Sequence, residues 1–118
     1  AGVTYFLPRL IGPARAMEIL LMGKVFDGEA AAREELVHRA VAPEELDSVT
    51  DELAAQLAAG PPIAIRFTKE GVNESLRRSL ADEFDFEARA QTACMMTADH
   101  KEGVRAFREK RAPKFEGK

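Results

Sequence analysis

The sequence predicts a mostly α-helical fold with one short strand. Apolar residues recur three and four positions apart along most of the chain, the spacing of a single helix face. Gly and Pro interrupt that pattern at helix-length intervals, at Gly12-Pro13, Gly23, Pro43 and Gly60-Pro61-Pro62. Only Leu36–Val41, with Val37 and Val41 on one face, suits a strand.

Val3, Phe6, Leu7, Leu10 and Ile11 make the first helical face, which Gly12 ends. Pro13 fits the first turn of the next helix, where a missing N–H costs little. That helix is apolar around most of its girth, from Ala16 to Met22, and stops at Gly23. Asp27 is placed to cap a short alanine-rich helix up to Glu34. After the Leu36–Val41 strand, Pro43 opens a helix with Leu46, Val49, Leu53 and Leu57 on one stripe. A further helix is expected over Ile63–Ser79, with Ile65, Val72 and Leu76 inward, and another over Leu80–Thr97. Asp99 and Glu102 have capping-box spacing and predict the start of the last helix, which carries Val104 and Phe107. The tail from Lys110 to Lys118 is expected to be irregular. A lone strand needs a partner for its N–H and C=O groups, and none is evident in this chain.

The 118 residues suit a single unit, with a break at Pro43 between residues 1–42 and 43–118. One cysteine, Cys94, makes no internal disulfide and leaves too few soft ligands for structural zinc. The longest uninterrupted apolar run, Ile19 to Met22, is far too short to span a membrane. These features lead to the expectation of a soluble, cytoplasmic protein. The chain enters its first apolar helix at once, without Met. Two origins account for that start: removal of leading residues, or a piece of a longer chain.

Carboxylate pairs such as Glu34-Glu35 and Glu44-Glu45 are adjacent on helices, so their side chains diverge and form no acid–base pair. His38 and His100 lack ligand spacing, and no metal site is expected. Charge is more informative. Lys101–Lys118 holds seven basic and three acidic residues in a chain of net charge −3. A basic end on an acidic body suits an anionic ligand, and it equally suits cations that complement a helix C-terminus. Nucleic acid is disfavoured by the negative total and the absence of a stacking platform.

Several segments in order resemble the enoyl-CoA hydratase/isomerase (crotonase) family: Ala1-Gly2-Val3-Thr4, Leu7-Pro8-Arg9-Leu10-Ile11-Gly12, Ala16-Met17-Glu18 with Gly23, and Ala30 to Val37 with Val41. Lys69 with Asn73, Thr97-x-Asp99-x-x-Glu102-Gly103, and Ala106-Phe107-x-Glu109-Lys110-Arg111-x-Pro113-x-Phe115 continue the series. The resemblance implies the C-terminal helical part of a crotonase-like α/β fold. It also implies that the oxyanion donors and catalytic glutamates of that family lie upstream, so that no catalytic residue is expected here. The implied ligand is the coenzyme A moiety of an acyl-CoA, with no covalently bound cofactor. Lys110 matches the family lysine that helps hold the coenzyme A phosphates, with Arg111 and Lys114 adding positive charge nearby. Residues 1–42 would pack on the family core, and residues 43–118 would close over the coenzyme and assemble subunits into trimers or pairs of trimers. Alone, the exposed faces are expected to drive self-association, as a swapped or rearranged dimer. The competing reading is a helical oligomerisation or coenzyme-A-binding module without turnover. Val3, Glu35 and Gln91 depart from the family pattern. If the turn at Glu35 needs positive φ, a glutamate there is strained by roughly 1 kcal/mol.

Overall fold

The computed structural model describes residues 2–118. Ala1, the first residue of the Ala1-Gly2-Val3-Thr4 motif, lies outside the described residues. The helices in order are α1 (Val3–Ile11), α2 (Pro13–Met22), α3 (Gly28–Arg33), α4 (Leu46–Ala58), α5 (Pro62–Glu74), α6 (Leu80–Met95) and α7 (Ala98–Glu109). A single 3-10 turn, Pro43–Glu45, leads into α4. The chain divides into two compact units, one running to Thr50 and the other comprising Asp51–Lys118.

In the first unit α1 packs against α2 through Leu7, Ala16 and Ile19, with Ile11, Phe26 and Leu36 around them. Gly23 ends α2 in the left-handed conformation that glycine adopts without a Cβ penalty. The Arg15 guanidinium bridges Glu34 (2.6 Å) and Glu18 (2.6 Å), and Lys24 also pairs with Glu18. Lys24 and Arg15 hold the Glu18 carboxyl below its ordinary range, and Arg15 does the same to Glu34. Asp27 caps α3 as expected, its carboxylate accepting from the Ala30 N–H at 2.9 Å.

The expected strand Leu36–Val41 is not formed, and no strand occurs among the described residues. The cause is local. Glu35 N–H donates to the Ala32 carbonyl (3.1 Å) and Leu36 N–H to the Ala31 carbonyl (2.9 Å). This double bond pattern closes the end of α3 and turns the first amide of the would-be strand back onto the helix. Leu36 then packs on the α1–α2 contact. Glu35 takes φ 58, so the glutamate does sit where glycine is favoured.

In the second unit α5 and α6 touch at Gly71, where an added Cβ would lie 3.0 Å from the Phe86 ring. Phe67 and Phe86 meet edge to face at 6.3 Å, and the Arg78 guanidinium lies 4.2 Å over Phe86. α5 ends before the expected Ser79 because Ser79 caps α6, its hydroxyl accepting from the Asp82 N–H at 3.2 Å. Val72 and Leu76, expected inward, are instead about two-thirds exposed. Val72 lies on α5, while Leu76 falls in the turn after the helix ends at Glu74.

α7 begins two residues earlier than the expected capping box. Thr97 is its N-cap, accepting from the His100 N–H at 3.0 Å. That frees Asp99 and Glu102 to bind the tail. Asp99 is buried, and its two carboxylate oxygens accept from the N–H groups of Glu116 (2.7 Å) and Gly117 (2.9 Å). Glu102 accepts from the Lys114 N–H (3.0 Å), from Arg111 (2.6 Å) and from Arg105 (3.1 Å). The Lys118 carbonyl accepts from the Ala98 N–H at 2.6 Å. The irregular tail is therefore a strap laid back along α7. Arg111 and Arg105, with the Lys114 amide, hold the Glu102 carboxyl well below the ordinary carboxylate range.

Two outcomes follow. Glu35→Gly should raise stability by about 0.5–1 kcal/mol, read as a higher denaturant midpoint at unchanged slope. A lower midpoint would show that Glu35 is held by more than its backbone conformation. The Glu102 carboxyl binds a proton less readily folded than unfolded, so its contribution is complete at neutral pH. It falls as the pH drops below the ordinary value of 4.5. Glu102→Gln should therefore be less stable than the parent at pH 7, with the gap closing in acid. A gap that stays constant down to pH 3 would contradict this.

Candidate functional site

The site is built at the C-terminal end of α7. Helix hydrogen bonding stops at Lys110, whose N–H donates to the Phe107 carbonyl (3.3 Å), while the Arg111 N–H reaches the Ala106 carbonyl (3.1 Å). This is the helix ending also seen at Glu35, and Lys110 takes the left-handed position with φ 54. A lysine where glycine would be easier places a charged side chain at the negative end of the helix dipole. Lys110 is exposed and forms no ion pair among the described residues.

The neighbouring cations differ sharply. Arg111 is bound by Glu102 and by Glu109 (2.6 Å), and Arg105 by Glu102. Lys118 pairs with Glu116 at 3.0 Å. Among the described residues Lys101, Arg108, Lys110 and Lys114 have no carboxylate at ion-pair distance. The structure thus brings Arg111 next to Lys110 but neutralises it, and leaves the Lys114 side chain in solvent. The basic field expected from the whole tail reduces to a few unpaired lysines and Arg108.

A cavity of about 460 Å³ beside the strap is lined by Asp99, Glu102, Arg105, Arg111 and Lys114, and two others flank α7 in this unit. An apolar one of about 390 Å³ is lined by Ala64, Cys94, Val104, Phe107 and Phe115, with Asp99 as its one carboxylate. Both Asp99 oxygens are already occupied by strap amides. The cavity therefore offers apolar contact and no free acid or base of the carboxylate type. Phe115 reaches this wall because the strap carries it there, and Gly103 leaves room for its ring at ordinary contact distance. The second cavity, about 570 Å³, runs along the outer face of α7 past Lys101, Arg105 and Arg108. Neither cavity includes Lys110. Gln91 lines a separate groove between α5 and α6 with Phe84 and Phe67.

No group of three or more His, Cys, Asp or Glu side chains that could hold a metal occurs among the described residues. No helix among them is long and apolar enough to cross a membrane. The strap anchors Asp99 and Glu102 escaped the sequence reading because their spacing also fits a capping box. The one available signal was Thr97, an equally good cap two residues earlier.

The enoyl-CoA hydratase/isomerase family model matches residues 1–118. The chain is 36% identical over 114 residues to a crotonyl-CoA hydratase of Syntrophomonas wolfei, covering 97% of this chain and 44% of that protein. It is 36% identical over 118 residues to a trans-2-decenoyl-[acyl-carrier-protein] isomerase of Streptococcus mutans, covering all of this chain and 45% of that protein. Its fold superposes on the crystal structure of an enoyl-CoA hydratase from Bacillus anthracis with a TM-score of 0.92 at 35% identity. That match covers 100% of this chain and 46% of the other. The chain thus spans less than half the length of the relatives it matches, and its helices are those of a crotonase-fold enzyme. It belongs to the enoyl-CoA hydratase/isomerase family.

Proposed function

We propose that the chain serves as the C-terminal helical part of an enzyme acting on acyl-CoA thioesters. In this reading Lys110 contributes to holding the coenzyme A phosphates, and the open helix faces pack against the remainder of the fold and against further copies. The acid–base and oxyanion groups come from outside these 118 residues, so the chain binds coenzyme A without turnover when alone. The reducing cytoplasm suits its free, half-buried Cys94.

The observation that carries the reading is the family match over the entire chain, joined to a surface that is apolar where a lone domain would be polar. Leu21, Met22, Leu80, Met96 and Phe107 are each more than 70% exposed, while among the described residues only Leu7, Ala16, Ile19 and Ala106 are buried apolar residues. Exposed patches of that kind mark surfaces made for contact. The unpaired Lys110 ammonium at a helix end supports an anionic ligand.

Coenzyme A should bind saturably, and both Lys110→Ala and Lys110→Gly should weaken it about three- to tenfold in titration calorimetry. Gly relaxes the left-handed backbone and Ala does not, so a purely structural role would separate the two variants. Equal affinity of Lys110→Gly and the parent would contradict the assignment. Crotonyl-CoA should keep its conjugated absorbance when mixed with the chain alone. In sedimentation velocity the isolated chain should run as an oligomer at micromolar concentration; a monomer throughout would contradict the packing role of the open faces.

A further inference from the structure

The strap is more than a way to tidy a chain end. It begins at the residue after Lys110. Arg111, the next residue, carries the strap's first anchor: its guanidinium spans Glu102 (2.6 and 3.1 Å) and Glu109 (2.6 Å), one partner a full two turns back on α7. Lys110 sits between Glu109 and Arg111, so this clamp fixes the backbone on its C-terminal side, while the closing bonds of α7 fix the other side. Glu102 is the hub. Its side chain is only 10% exposed and also accepts the Lys114 N–H, which pulls the strap down past Pro113. Asp99 then takes the amides of Glu116 and Gly117, one turn nearer the start of α7.

We infer that Glu102, seconded by Asp99, is a positioning residue for the anion site at Lys110: it holds the strap so that the Lys110 ammonium is presented. This rests on the Lys110 reading above and adds residues that act through the backbone. Its consequence runs against simple electrostatics. Glu102 is a negative charge near an anion site, and removing a negative charge from such a neighbourhood ordinarily strengthens anion binding. Here removal frees the strap, which carries Arg111, Lys114 and the segment next to Lys110. The ordering that presents Lys110 must then be restored on each binding event.

The test compares two variants with the same change of charge. Glu116→Gln removes an exposed carboxylate that bonds only the Lys118 side chain; Glu102→Gln removes the hub. Affinity for coenzyme A and for pantetheine, which lacks the phosphates, is measured by calorimetry. Amide exchange is followed at Lys114, Glu116 and Gly117. Glu116→Gln should bind coenzyme A as tightly as the parent or slightly more tightly. Glu102→Gln should weaken coenzyme A about tenfold, the order expected when charge-assisted hydrogen bonds that hold a site are lost. It should leave pantetheine nearly unchanged and speed exchange at Lys114. Should Glu102→Gln fail to fold, Asp99→Asn is read in the same way, with faster exchange at Glu116 and Gly117. Equal coenzyme A affinity in Glu102→Gln and Glu116→Gln, with Lys110→Gly still weakened, overturns the positioning role and leaves the Lys110 reading standing. No saturable binding by the parent overturns both.

Discussion

Amphipathic helices need a surface to bury their apolar stripe against, and in this chain that surface is mostly absent. Covering one large side chain is worth about 1.5–3 kcal/mol. Phe107, Met96, Leu80, Leu21 and Met22 all stand open. Short helices are marginal in water without tertiary packing. What holds the chain from within is therefore local: caps at Asp27, Ser79 and Thr97, the α1–α2 contact around Leu7 and Ile19, the Gly71–Phe86 approach, and the strap. The outward apolar faces are the counterpart of that economy. They fit the proposal that something else covers them, and the chain spans under half the length of its relatives.

The strap shows how the same local bonding sets the electrostatics. A count of charges makes the end of the chain uniformly basic. In the folded chain Glu102 takes Arg105 and Arg111, and Glu109 shares Arg111, so that the positive field is concentrated on particular side chains. Lys110 is one of those left over, and it occupies a backbone conformation that costs a lysine about 1 kcal/mol. A residue kept at such a cost where glycine would fit is consistent with a use for its charge.

The helices were legible because their ends are written locally. Gly12-Pro13, Gly23 and Asp27 fix the limits of α1, α2 and α3 through backbone rules that need no distant partner. The Leu36–Val41 strand failed because alternation is local while strand pairing is not, and the closing bonds of α3 captured Leu36 first. Asp99 and Glu102 were misassigned because a capping box and a strap anchor have the same spacing; only the path of residues 111–118 tells them apart. Val72 lies on an α5 face that has no cover, and Leu76 lies beyond the helix end at Glu74, because periodicity reports which face wants cover and says neither what supplies it nor where the helix stops. Lys110 is proposed on its segment, Phe107-x-Glu109-Lys110-Arg111. The neutralisation of Arg111 depends on Glu102 two turns away and was invisible.

The central claim is that the open apolar faces are covered in the working protein. Methionine oxidation reads this directly, since Met22 and Met96 are 72% and 78% exposed in the chain by itself. In the native protein in solution both should oxidise much more slowly than in the unfolded protein, because a partner surface shields them. Oxidation of both at the unfolded rate would show faces left bare and would contradict the account.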